Sequence, residues 1–164
     1  MKQYKTNGHY FKPRHFLFPQ LGRLHVIGSI RFTEQSIYET TNPFNQADWN
    51  KGGGLSHSIV PNRNAVMVGW RYYKGKFQAI PYINKDGKNI HSIFQPIDLE
   101  MDKLYLWSIR FNEQTGLVEF EIGGKMYTYG GYNWSFISFP RQPYFGGDDT
   151  PKNEVSIDWW SNNT

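Results

Sequence analysis

Residues 65 to 129 read as three successive hairpins, and few architectures accommodate such a run. Ala65 to Tyr73 reaches Lys74-Gly75 and returns as Lys76 to Ile83. Lys103 to Phe111 turns through Asn112-Glu113-Gln114-Thr115 and returns as Gly116 to Ile122. Gly123-Gly124 then reverses the chain into Lys125 to Tyr129. Alternating runs rich in Val, Ile, Tyr, Phe and Trp, broken by short Gly-containing loops, specify antiparallel strands. The chain is therefore expected to be all-β.

The apolar alternation predicts registers. Across the four-residue loop 112–115, Ile109 is set opposite Val118, Trp107 opposite Phe120 and Tyr105 opposite Ile122. Across Gly123-Gly124, Phe120 faces Tyr127 and Val118 faces Tyr129. In the first hairpin Tyr72 faces Phe77, Trp70 faces Ala79 and Val68 faces Pro81. A slip of one residue would place Glu119 among the aromatics, so the choice of face is firmly specified. Pro81 has no N–H to give to a ladder, so its strand is expected at an edge or bulged there.

Further strands are expected at 23–33, 36–40, 54–60, 88–95, 134–139 and 153–160. The loop 41–53 is the longest irregular stretch, and a second loop spans 140–152. A set of short antiparallel strands, each with one apolar face, needs a second sheet to cover it. A two-sheet antiparallel β-sandwich meets that need, with a closed barrel as the alternative. The chain of 164 residues suits one such domain at 23–164. Residues 1–22 read as an N-terminal basic and aromatic arm or a frayed edge strand. Pro13 and Pro19 discourage a central strand there, while Tyr10, Phe11, Phe16, Leu17 and Phe18 are too apolar for a free tail.

Charge is unevenly placed. Lys2, Lys5, Lys12, Arg14, Arg23 and Arg31 all precede the first acid, Glu34, so residues 1–33 carry +6. The remainder holds twelve bases against fourteen acids, or −2. The bases are spread rather than blocked, and no helix-turn-helix, zinc or RNA-binding pattern accompanies them, so a nucleic-acid partner is not expected. The chain has no cysteine, which removes disulfides and thiolate metal sites. No apolar run is long enough to span a membrane. Residues 1–6 do not read as a signal peptide, which fits cytoplasmic synthesis.

The stretches Val68-Gly69-Trp70-Arg71-Tyr72-Tyr73, Gly75-Lys76-Phe77, Trp107-Ser108-Ile109, Glu119-Phe120-Glu121-Ile122-Gly123-Gly124 and Pro143-Tyr144-Phe145-Gly146-Gly147 together resemble a concanavalin-like (laminin-G-like) jelly-roll sandwich over residues 23–160. The segment Asp48-Trp49-Asn50-Lys51, running through Gly52-Gly53-Gly54-Leu55-Ser56 to Gly69-Trp70-Arg71, is similar to small tailed-phage proteins of gut Bacteroidetes. The first resemblance implies a glycan binder, an adhesion module, a virion part or a glycoside hydrolase, and fold alone does not choose among these.

The residues narrow the choice. Sandwich glucanases of this type carry a Glu-x-Asp-x-Glu strand, which is missing here. Glu119 and Glu121 share one strand face at roughly 7 Å, but they sit beside Ser108, Arg110 and Thr128 on a polar surface. Ser56-His57-Ser58 cannot form a nucleophile–base pair, because neighbouring strand residues point to opposite faces. No catalytic residue, cofactor or metal is therefore assigned. Asp98, Glu100 and Asp102 alternate but lack the glycine of a calcium loop, and Asp148 and Asp149, near Thr150 and Asn153, are the loop pair that could hold calcium, with few oxygen ligands.

The ligand-binding candidates are the aromatic loops. Asp48, Trp49 and Asn50 set a flat apolar ring beside carboxylate and amide groups, as do Tyr132, Asn133 and Trp134. A sugar offers C–H faces for stacking and hydroxyls for hydrogen bonding, so either loop suits a glycan. The competing reading is that Trp49 and Trp134 anchor their loops over the core or against another subunit. The expectation is a non-catalytic binding or structural module with lectin-like character, such as a virion or surface-assembly component. Its partner would be a glycan, a protein of the assembly, or a second copy of the chain. The alternative is a glycoside hydrolase or polysaccharide lyase of similar fold.

Overall fold

The computed structural model describes residues 1–12, 18–22, 24–58, 60, 63–146 and 149–162. They form two antiparallel sheets packed face to face as a jelly-roll sandwich, with no α-helix among them. The first sheet runs, from edge to edge, β1 (Lys2–Thr6), β13 (Val155–Ser161), β3 (His25–Arg31), β9 (Tyr105–Asn112), β10 (Leu117–Ile122) and β11 (Lys125–Gly130). The second runs β2 (Gln20–Leu21), β12 (Ile137–Arg141), β4 (Asn50–Ser56), β5 (Ala65–Tyr73), β6 (Lys76–Lys85) and β7 (Lys88–Asn89), with β8 (Ile97–Leu99) also paired to β6. No helix of the described residues is long and apolar enough to cross a membrane.

The first and third hairpins take the expected registers: Tyr72 pairs with Phe77, Trp70 with Ala79 and Val68 with Pro81, and Phe120 with Tyr127. Pro81 lies in the gap between the stretch of β6 covered by β8, at Phe77–Ala79, and the stretch covered by β7, at Asn84–Lys85. The strand edge is open where the proline has no donor. The middle hairpin differs from expectation by two residues. Phe120 pairs with Ile109 and Ile122 with Trp107. Asn112 is the last rung rather than the first loop residue. Its side-chain carbonyl accepts from the N–H groups of Gln114 and Thr115, and its backbone carbonyl accepts from Gly116, which sits at φ +69°. A shift of two preserves the face, so Trp107, Ile109, Val118, Phe120 and Ile122 are all buried, while Glu119 and Glu121 point away from the core.

Three other expectations are corrected. Residues 36–40 are not a strand: a 3-10 turn occupies Glu34–Ser36, where the Ser36 hydroxyl donates to the Ser156 carbonyl and fixes a bend. The stretch 88–95 keeps strand only at Lys88–Asn89 and then turns through a 3-10 turn at His91–Ile93. The fourth strand starts at Asn50 rather than at residue 54, so the loop 41–53 is shorter than its composition suggests. Residues 1–22 supply the edge strand β1, paired to β13, and the two-residue β2. Tyr4 and Phe11 are buried, the latter near Trp70. Pro13, Arg14, Phe16, Leu17 and Arg23 lie outside the described residues.

One feature of the core explains an odd sequence run. Trp107 of the first sheet stacks on Trp159, with centroids 4.9 Å apart. Trp159 presses on the other sheet at Gly52-Gly53-Gly54, where a Cβ on Gly52 would come within 2.7 Å of its ring. The ladder is irregular between Lys51 and Gly54, and Gly54 takes φ +152°. The glycines let a tryptophan pair bridge the sandwich at that point.

Candidate functional site

Strand parity sets the outer face of the second sheet. Val66, Val68, Trp70 and Tyr72 of β5, and Phe77, Ala79 and Ile83 of β6, belong to the core. Met67, Gly69, Arg71 and Tyr73, with Gln78, Ile80 and Tyr82, therefore point the other way. Met67 and Ile80 are nonetheless buried, so this face carries an apolar floor of its own.

Two cations cross that floor. Lys51 on β4 pairs with Gly69, and its Nζ lies 4.8 Å from the ring centroid of Tyr82 on β6 and 5.7 Å from that of Tyr144. Gly69 on the intervening strand carries no side chain, and Ile80 and Tyr82 pack over it: a Cβ there would meet Ile80 Cγ1 at 3.0 Å and Tyr82 Cβ at 3.1 Å. Arg71, two residues along β5, places its guanidinium 4.2 Å over Trp49 and 4.6 Å over Tyr73. Its Nε donates to Gln78 Oε1 at 2.9 Å and its Nη1 to the Ala47 carbonyl at 2.7 Å. Two hydrogen bonds and two rings thus fix one long side chain.

His91 completes the group. Its ring stacks on Tyr82, 5.4 Å between centroids at 13°, and meets Trp49 edge-on at 6.3 Å. Its Nδ1 contacts the Asn89 side-chain carbonyl, and its backbone N–H donates to the same oxygen. Burial holds the imidazole below the usual histidine range; the charges of Lys51 and Arg71 push the same way, and Asp48 opposes them. Burial also raises the Tyr82 phenol above its ordinary value and lowers the Arg71 guanidinium. The N-terminal segment forms one wall: His9 stacks on Tyr144 at 5.6 Å and Tyr10 meets the same ring edge-on at 5.2 Å. Backbone bonds between Lys51 and Tyr144 join that wall to β4.

The residues proposed from sequence separate into two places. Asp48 is exposed at the rim of this face, and Trp49 is 8 % exposed beneath Arg71. Asn50 lies on the core side, donating from Nδ2 to the Tyr38 hydroxyl and accepting from the Gly146 N–H. Tyr132, Asn133 and Trp134 lie by the far end of β4, against His57. Seven residues of strand put roughly 20 Å between the two groups. There Trp134 stacks on Phe111 at 4.6 Å and contacts His57 at 3.8 Å, while Asn133 donates to the Asp86 carboxylate. Burial depresses His57 to about 4, partly offset by the contact of its Nδ1 with the Ser135 carbonyl at 3.1 Å. These side chains face one another rather than a shared opening with Trp49.

Glu119 and Glu121 stand on the outer face of the first sheet, away from the cationic group. Glu119 accepts from Asn112 Nδ2 at 2.9 Å and lies 3.7 Å from Arg110. Asp149 accepts from the backbone N–H groups of Asn42 and Thr150, which is a turn-closing role; Asp148 lies outside the described residues. No group of three or more His, Cys, Asp or Glu side chains suited to a metal ion occurs among the described residues. An open groove of about 400 Å³ lies at the end of the β9–β10 hairpin, lined by Leu24, His25, Arg110, Phe111, Asn112, Glu113 and Gln114. Its Arg110 already faces Glu119 and its Phe111 is covered by Trp134, so the cationic face is the stronger site.

No family model and no curated protein matches the chain. Solved structures do. An alginate lyase, AlyC3, superposes with a TM-score of 0.56 at 12 % identity, over 97 % of this chain and 74 % of that one. A galectin-Ib from Xenopus laevis gives 0.44 at 8 % identity, over 86 % and 99 %. A heptameric SAP-like pentraxin from Limulus polyphemus gives 0.46 at 12 %, over 97 % and 75 %. The likeness to the lyase structure establishes the jelly-roll sandwich of the concanavalin-like type, and nothing finer.

Proposed function

We propose that this protein is a non-catalytic glycan-binding module, and that it binds through the outer face of its second sheet. The observation that carries the reading is the fixed pair Lys51 and Arg71, each held over aromatic rings above an apolar floor. Partly exposed rings offer stacking surface to sugar C–H groups, and the cations and His91 offer hydrogen bonds to oxygen. Trp49 contributes by fixing Arg71, since its ring is largely buried under the guanidinium. A hydrolase would need two carboxylates flanking the bond. Among the described residues, Asp48 is the carboxylate whose charge reaches Tyr82 and His91, and Glu119 and Glu121 lie on the other sheet. A place in a virion or surface assembly is the finer form of the proposal, and it rests on the sequence resemblance.

The test is a glycan array followed by titration, read by tryptophan fluorescence. A hit whose affinity falls in Arg71→Met and Lys51→Met, with the fold intact, supports the reading. A hit unaffected by both variants moves the site elsewhere. Shortened or unsaturated products after incubation with polysaccharides would make the protein a hydrolase or lyase and overturn the non-catalytic part.

A further inference from the structure

We infer that the outer face of the first sheet is a self-association surface, through which two copies of this chain pack back to back. The strand registers lay that face out. Trp160 on β13 pairs with Ser29 on β3, and Ser29 pairs with Leu106 on β9. In the next row Ile27 pairs with Ser108, Ser108 with Glu121 and Glu121 with Met126. Their chain neighbours Trp159, Val26, Trp107, Ile122 and Tyr127 belong to the core, so these side chains point outward. The Ser29 hydroxyl donates to the Met1 sulfur at 3.7 Å, which brings Met1 onto the same face. Met1, Ile27, Leu106 and Trp160 thus cluster around the buried Ser29, with Met126 across Glu121, and each of the five is between 39 % and 69 % exposed. A solvated sheet face alternates to polar residues at such positions. On β3, β9 and β13 that alternation fails at Ile27, Leu106 and Trp160.

Area and charge point to a second copy as the occupant. The five side chains expose on the order of 500 Å² of surface, at the upper end of the patch that a monomer leaves to water. With the polar rows around them, the face approaches the roughly 800 Å² per partner of a standard interface. The rows that border the apolar cluster each hold one base and one acid. Arg31 donates to Asp158 at 2.9 Å on one side, and Arg110 lies 3.7 Å from Glu119 on the other. Glu121 adds a single charge at the margin. Such a face offers little field to a strongly charged partner, but it can meet its own copy. A two-fold axis along the strands, between β13 and β3, sets Asp158 of one copy over Arg31 of the other and Trp160 over Ser29. Sheets packed face to face keep their strands nearly aligned, about 10 Å apart, and this axis satisfies that rule. The two second sheets then face outward in opposite directions. The dimer would carry two copies of the face proposed above for glycan, and the association itself does not depend on that reading.

Sedimentation equilibrium of the full chain, without saccharide, tests the inference. The parent is expected to dimerise, with the dimer fraction rising between about 1 and 100 µM, the weak end of the range for an interface of this size. Leu106→Glu and Trp160→Glu each place a charge in the apolar cluster, and each should weaken the dimer at least about tenfold, the loss of one interface anchor. Phe44→Glu is the control: Phe44 is 92 % exposed on the 3-10 turn Pro43–Ala47, away from the first sheet, and its replacement should leave association unchanged. Circular dichroism and urea midpoints establish that each variant folds. Should Trp160→Glu unfold, Ser108→Arg on the same face replaces it, with the same expected loss. A parent that stays monomeric at about 100 µM would refute self-association and leave the face to a partner of another kind. A dimer that survives both Leu106→Glu and Trp160→Glu would refute this face as the interface. Failure of every saccharide to bind, with the dimer intact, would overturn the glycan reading and leave this one standing.

Discussion

Gly28→Ala should be among the most damaging single-methyl additions in the protein. Gly28 pairs with Trp107 on β9 and with Ser161 on β13. A Cβ there would lie 2.3 Å from Cζ2 of Trp107 and 2.3 Å from the backbone carbonyl oxygen of Trp160. Ordinary carbon contacts begin near 3.5 Å, so both neighbours must retreat by about 1 Å. Trp107 is 2 % exposed and stacked on Trp159, which itself presses on Gly52; the Trp160 carbonyl belongs to a sheet. Neither can yield cheaply. Overpacking of a filled core costs about 1–3 kcal/mol, and two obstacles, one of them backbone, place this case at the upper end, about 3 kcal/mol. For a chain of this length that corresponds to a fall in Tm of roughly 6–12 °C. Gly8→Ala is the control, because nothing lies within 4 Å of its added Cβ and its φ is not positive; it should change stability by less than about 0.5 kcal/mol. Urea unfolding of the three proteins, followed by tryptophan fluorescence, compares them. Equal midpoints for Gly28→Ala and Gly8→Ala would refute the packing account of the Trp107–Trp159 stack.

Other expectations follow from the same geometry. Trp107→Ala, which empties the centre of that stack, should cost about 3–5 kcal/mol in urea unfolding. His57 is held at about 4, below its ordinary 6.5, so the unfolded chain takes up a proton that the folded one refuses. Its contribution of roughly 3 kcal/mol is present above pH 6.5 and is lost as pH falls toward 4; urea midpoints across that range should fall, and His57→Gln should flatten the dependence. Asn112→Ala, which removes the acceptor for two loop N–H groups and the bond to Glu119, should cost about 1–2 kcal/mol without altering glycan affinity. The double variant Glu119→Gln, Glu121→Gln should fold and bind as the parent does; loss of binding would draw the site to the first sheet.

The parts of the fold that were legible in sequence are those in which alternation and a glycine turn agree. Val68, Trp70 and Tyr72 against Phe77, Ala79 and Pro81 needed nothing else, and Pro81 even announced its own edge. The middle hairpin shifted by two residues because Asn112 has the composition of a loop and the pairing of a strand. Ile37 and Tyr38 carry strand composition, yet Ser36 bends the chain just before them. The candidate site is half visible. The first hairpin's register already puts Arg71 beside Gln78, with Tyr82 four rungs away and Gly69 between, all on the face opposite Trp70. What was missing was Lys51, because Gly52-Gly53-Gly54 reads as loop until Trp159 is seen to require those glycines. His91 comes from a turn that the alternation of 88–95 disguises. Trp49 reads as a sugar platform in sequence, and its covering by Arg71 depends on a contact between segments more than twenty residues apart.

The central claim is that ligand meets the cationic outer face of the second sheet. Backbone amide shifts of the labelled protein, followed while a glycan identified on the array is added, test it most directly. The account predicts saturable changes centred on Lys51, Gly69, Arg71, Tyr82, His91 and Tyr144, with Glu119, Glu121 and the His57–Trp134 end unmoved. Changes centred on Tyr132–Trp134 or on the outer face of the first sheet, with Lys51 and Arg71 silent, would contradict it.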